Sequence, residues 1–149
     1  MLRRICKSVK SYEYNPETNV YKMCFLDTTH FPLPLQVQWI GKDKWQLIAP
    51  FEYHRDTGDV IRAEEVGLDG RPFITDFGTK PWWCWWFMGS PTDEGGPAYI
   101  IHDWMCKFAK WSREKTDFLF LEMLKILKVI EWKCYAMYYA VRLWFYVKP

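Results

Sequence analysis

The chain has 149 residues, of which 50% are apolar, 26% charged and 19% aromatic, with a formal net charge of +2. That length suits one domain with a sizeable core and is too short for two ordinary ones. The apolar content excludes a disordered chain, and so small a positive charge argues against nucleic acid, which needs a concentrated basic surface.

The opening MLRRICKSVK holds the main basic cluster, Arg3, Arg4, Lys7 and Lys10. It lacks the apolar run of a secretion signal and reads as a solvated end or a contact to an acidic partner. Up to about residue 90 the apolar runs are short and broken by turn formers: NPETN at 15–19, the prolines of FPLPL at 31–35, RDTGD at 55–59 and LDGRP at 68–72. YKMCFL, LQVQWI, KWQLIAPF and RPFIT read as strands of this half. GKDK at 41–44 closes a hairpin between LQVQWI and WQLIAP, because Gly accepts the unusual backbone angles of a tight turn.

The segment TDFGTKPWWCWWF at 75–87 puts four of ten tryptophans into five positions. With Thr79 or Lys80 at the entry and Pro81 in the first turn, it reads as a short helix. Trp82, Trp85 and Trp86 then share a face and Trp83 turns aside. One face is expected to plug the seam between the two halves, and at least one ring to meet another chain, where Trp is enriched.

After the polar loop SPTDEGGP, Pro97 suits the first turn of a helix over 97–110. Ser112 suits the N-cap of a second helix, with Glu114 at the positive end of its dipole. The apolar positions Phe120, Met123, Leu127 and Ile130 carry that helix to residue 130, and a third occupies 131–147. The stretch at 129–147 is the most apolar of the chain, yet it holds Glu131, Lys133 and Arg142. A bilayer helix tolerates few charges, so no transmembrane segment is expected. The predicted architecture is α+β: one domain over 1–149, with a small, mostly antiparallel sheet in 1–89 capped by three helices in 97–147.

Five cysteines, Cys6, Cys24, Cys84, Cys106 and Cys134, are odd in number and form no CxxC pair. Neither a disulfide framework nor a metal site is expected from them. Cys84, Cys106 and Cys134 adjoin large apolar residues and read as small buried hydrophobes.

Four pieces recur in a fixed order: FITDFGTKP at 73–81, the Trp-rich segment, YIIHDWMCKF at 99–108, and SREKTDFLFLEML at 112–124 with the later YYAVRLW. Over about residues 47–144 the chain resembles the tailed-phage family catalogued as domain-of-unknown-function family 1353. That pattern runs Gly-Phe-x-Thr-Asp-Phe-Ala-Ser-x-Pro, His-Asp-Trp-Leu-Tyr, Ser-Arg-x-x-Ala-Asp and Ala-Val-Arg. Here Ala-Ser is Gly78-Thr79, the Arg that often follows Pro is Trp82, the Tyr is Cys106, and the Ala before Asp117 is Thr116. The resemblance implies a phage gene product, in the virion or the host cytoplasm, and names no reaction or cofactor.

Asp76 ends a strand in apolar surroundings. Its carboxylate either builds an Asx-type turn onto residues 78–80 or serves as a general base or metal ligand. His102 and Asp103 lie about 100° apart around a helix axis, so a shared target must lie between their directions. One arrangement bonds Asp76 to His102, fixing the imidazole tautomer and joining sheet to helices. Asp103 has Lys107 as an i,i+4 partner. Asp117, if buried, needs a cation, for which Arg142 is the candidate, while Arg113 reads as solvated.

Two functions from different classes remain. The first is a virion tail, baseplate or assembly component working through contacts with other phage structural proteins or with itself, using Trp82, Trp83, Trp85, Trp86, Tyr138, Tyr139 and Trp144. The second is a hydrolase acting on host cell wall or another polymer, with Asp76, His102 and Asp103 as its site.

Overall fold

The computed structural model describes residues 8–41, 44–76 and 95–147, with the side chains of Asp76, Phe145 and Val147 outside that description. Among the described residues seven strands precede three helices: β1 (Val9–Asn15), β2 (Val20–Phe25), β3 (Leu35–Gly41), β4 (Lys44–Leu47), β5 (Phe51–His54), β6 (Val60–Ala63), β7 (Ile74–Asp76), α1 (Gly96–Phe108), α2 (Arg113–Ile126) and α3 (Glu131–Val147). The α+β architecture expected from the sequence is the one observed. A five-stranded sheet runs β1-β2-β3-β4-β7, with every neighbour antiparallel, and β5-β6 form a separate hairpin.

The turn chemistry sets the register. Asn19 takes a positive φ of 57° between β1 and β2, in the NPETN stretch. Gly41, at φ 117°, pairs with Lys44 across the β3–β4 ladder, as the GKDK hairpin requires. Alternation then sends Met23 and Phe25, Leu35 and Val37, and Trp45 and Leu47 to the buried face. A strand shows this two-residue period because successive side chains point to opposite faces.

KWQLIAPF does not form a single strand. β4 stops at Leu47 and β5 begins at Phe51, with Ile48–Pro50 forming a bend between them. Pro cannot donate to a ladder, so the chain leaves the sheet there. The β5–β6 hairpin packs Phe51 5.9 Å from Phe31 and 6.0 Å from Phe25, while Tyr53 lies 5.2 Å from Phe31 (ring centroids). Fully burying each such ring stabilises the fold by about 1.5–3 kcal/mol.

Two layers meet where α1 and α2 cover the β-rich half. Phe73 meets Trp104 edge-on at 5.2 Å, and Lys107 Nζ donates to the Ile74 carbonyl of β7 at 2.8 Å. Gly67 permits the close approach of α1: a Cβ there would lie 2.5 Å from Phe108 Cζ. Across the hairpin, Tyr53 Oη donates to Glu122 Oε2 of α2 at 2.6 Å, and Arg55 Nε donates to the same oxygen at 3.1 Å. Buried on the hairpin side, the Tyr53 hydroxyl is pushed above its ordinary range by burial and by the Glu122 carboxylate.

The helix signals of the sequence hold at their starts. Pro97 occupies the first turn of α1, and Ser112 caps α2 by accepting from the Lys115 N–H at 3.2 Å. α2 ends earlier than its apolar stripe suggests. Lys128 adopts φ 61°, and the Val129 N–H returns to the Leu124 carbonyl at 3.2 Å. This is a left-handed cap with a six-to-one bond, normally built on Gly. It leaves Ile130 exposed before α3 begins.

Candidate functional site

α1 and α2 pack side by side, and α2 packs on α3, so a residue on the inner face of α2 can reach both neighbours. Asp117 occupies that position and is fully buried. An unpaired carboxylate there would be costly, because burial removes the water that solvates its charge. Three cations answer it. His102 Nε2 of α1 lies 2.6 Å from Asp117 Oδ1, Arg113 Nε donates to the same oxygen at 2.9 Å, and Arg142 Nη1 of α3 donates to Oδ2 at 3.1 Å. Arg142 also gives Nη2 to the Tyr146 hydroxyl at 2.9 Å.

The electrostatics follow from this geometry. Burial works to lower the His102 pKa, but its hydrogen bond to Asp117, then Cys106 beside it, raise it to about 9. Burial likewise works to raise the Asp117 pKa, and the His102 hydrogen bond and charge, then Arg113, hold it below the ordinary carboxylate value. The pair is therefore an imidazolium and a carboxylate, with both ring nitrogens protonated. The imidazole also rests on Phe120, its ring centroid 4.8 Å away.

Cys106, one turn after His102 on α1, places its sulfur 3.6 Å from Nε2 and 3.8 Å from Nδ1. The thiol thus lies nearly equidistant from the two ring nitrogens. Unlike Cys134, which is buried and donates to the Val129 carbonyl, Cys106 is exposed. The reading of Cys106 as a buried hydrophobe is corrected here: it lies on the α1 face that turns out of the core. Its signal in the sequence was the i,i+4 spacing from His102, which puts both side chains on one face.

The sequence-named residues divide as follows. His102, Asp117 and Arg142 come together at one point. Arg113, read from the sequence as solvated, instead binds Asp117, because four residues along a helix bring it over the carboxylate. Asp103 turns toward Lys107, whose Nζ is 3.4 Å from Oδ2, although that shielded oxygen lacks an aligned hydrogen bond. Lys107 directs its bond to Ile74 instead. The Asp76 side chain lies outside the described residues, and the partner the structure gives to His102 Nε2 is Asp117. Trp82, Trp83, Trp85 and Trp86 also lie outside the described residues. Tyr138 is half-buried against Phe118, Tyr139 is exposed beside it, and Trp144 is half-buried.

His102, Cys106 and Asp117 offer nitrogen, sulfur and oxygen donors that all lie within 4.8 Å of one another. A cleft of about 450 Å³ lies elsewhere, lined by Arg55, Trp111, Lys115, Phe118 and Glu122 among others.

Compared with known families, residues 45–141 match the one described as a protein of unknown function (DUF1353). The chain belongs to this family. The DUF1353 match runs from β4 into α3 and takes in His102, Arg113 and Asp117, ending one residue before Arg142, while β1 to β3 precede it. No curated protein and no solved structure matches the chain.

Proposed function

We propose that this DUF1353 chain is a bacteriophage virion component, of the tail or baseplate or of their assembly, that binds a neighbouring structural protein through the outer face of α3. The observation that carries this reading is an aromatic stripe. Trp132, Tyr139, Leu143 and Tyr146 are 54%, 63%, 50% and 70% exposed, and their spacing of seven, four and three residues puts them along one face. Cys134, Met137 and Ala140 bury the opposite face, so α3 packs on one side and presents large rings on the other. Surface Trp and Tyr in a contiguous row suit a protein contact, which gains from large rigid side chains with a polar tip. The phage assignment rests on the ordered Thr-Asp-Phe, His-Asp-Trp and Ser-Arg motifs.

Purified mature particles test the proposal. The chain is expected among the particle proteins at fixed stoichiometry, and the double variant Tyr139→Ser, Leu143→Ser is expected to fold with the wild-type melting temperature and to fall at least about tenfold in particle content, as loss of central contacts totalling about 1.4 kcal/mol or more implies. A chain absent from particles, or a double variant incorporated normally, contradicts it.

A second reading, hydrolysis of cell wall or another host polymer, draws on a different observation. An exposed thiol lies 3.6 Å from Nε2 and 3.8 Å from Nδ1 of an imidazole whose Nε2 a buried carboxylate holds, and these are the residue types that thiol-dependent hydrolases use. In that reading Cys106 replaces Asp76 and Asp103 as the reacting group beside His102. Loss of peptidoglycan or polymer cleavage in Cys106→Ser, with folding intact, would favour it over the assembly role.

A further inference from the structure

We propose that His102 Nε2, Cys106 Sγ and a carboxylate oxygen of Asp117 bind one zinc(II) ion. This goes beyond the assembly reading and does not depend on it. Three observations carry the proposal. The three donor atoms already lie within 4.8 Å of one another, drawn from two helices. His102 and Cys106 stand four residues apart on α1, the spacing that places two ligands on one helix face. The Sγ–Nε2 separation is 3.6 Å. Zinc bonds of about 2.3 Å to sulfur and 2.0–2.1 Å to nitrogen at a tetrahedral angle require about 3.6 Å. Because Sγ also lies 3.8 Å from Nδ1, the exposed Cys106 side chain must turn about its Cα–Cβ bond toward the Nε2 side to share the ion.

The carboxylate must give way by a small amount. Nε2 and Oδ1 are 2.6 Å apart while a proton joins them, and a shared zinc would part them to about 3.3 Å. Arg113 and Arg142 hold the carboxylate from behind, the place where outer-shell donors orient a ligating Asp. Binding balances in charge: the imidazolium and the thiol each release a proton to solvent as one doubly charged ion enters. The two arginines thus face the same total charge with or without metal.

Donor chemistry selects the ion. A thiolate and an imidazole nitrogen suit zinc, whereas calcium and magnesium require sets of oxygen ligands. Three protein donors leave one tetrahedral position, and because Cys106 is exposed that position opens to water.

The test uses the full chain, stripped with chelator and titrated with zinc against a chromophoric competitor, and with cobalt(II) as a spectroscopic probe. One zinc per chain is expected, together with the near-ultraviolet sulfur-to-cobalt band and the strong visible bands of a four-coordinate site. Cys106→Ser should remove the near-ultraviolet band and weaken zinc binding more than about tenfold, the loss seen when even a supporting partner is removed. Circular dichroism establishes that this exposed-site variant is folded, and Cys24→Ser is expected to change neither readout. Folded wild-type protein that takes up no stoichiometric zinc overturns the proposal. So does a Cys106→Ser spectrum equal to that of wild type, or loss of the band in Cys24→Ser.

Discussion

At Asp117 a single carboxylate receives three cationic side chains from three helices, and the sequence disclosed only part of this. Asp117 and Arg142 could be paired because a buried acid in an apolar helix demands a cation. His102 escaped that pairing because spacing fixes angles within one helix but not which helix faces which. A second acid–histidine cluster shows how such contacts respond to pH. His30 Nδ1 lies 2.6 Å from Asp27 Oδ2, and its Nε2 lies 2.8 Å from Asp56 Oδ1. Burial works to lower its pKa, but the two carboxylates raise it above 6.5. The protonated form is favoured on folding, so its stabilisation is fully present below the unfolded-state pKa of about 6.5 and is lost as pH rises through the higher folded-state value. In urea unfolding, His30→Gln should therefore lose more stability relative to wild type at pH 6 than at pH 9. Equal losses at the two pH values would contradict the assignment.

At the scale of elements, the strands that were legible are those with an apolar face. β2, β3 and β4 alternate buried and less buried positions, and β7 follows the LDGRP turn. β1 was hidden because VKSYEYN is exposed over nearly all its length and so lacks the apolar period. β5 and β6 were hidden because the apolar run of β4 continues through Pro50 into Phe51. The start of each helix was readable from Pro97 and Ser112. The end of α2 was not, since Lys128 stands where a left-handed cap usually has Gly. That residue gives a prediction at the same scale. Lys128→Gly removes the steric cost of φ 61° and is expected to stabilise the chain by about 1 kcal/mol, read from the urea midpoint at unchanged slope. An unchanged or lower midpoint would mean that the cap carries no strain.

Over the whole molecule, the β-rich and helical halves meet through Phe73 on Trp104, Lys107 on the Ile74 carbonyl, and Tyr53 and Arg55 on Glu122. The family match spans this junction together with His102, Arg113 and Asp117. None of the described helices is long and apolar enough to cross a membrane, as the charges of α3 indicate. The candidate site and the outward stripe of α3 both depend on α3 being held against α2, and Arg142 on Asp117 is the polar part of that hold. Urea unfolding of chelator-treated Asp117→Asn beside wild type measures it most directly. The Asn side chain leaves three buried or half-buried cations without their counter-ion, so the variant should lose about 3–5 kcal/mol, a large share of a single domain's stability. A loss below about 1 kcal/mol, the range of an exposed ion pair, would contradict a carboxylate that joins the three helices.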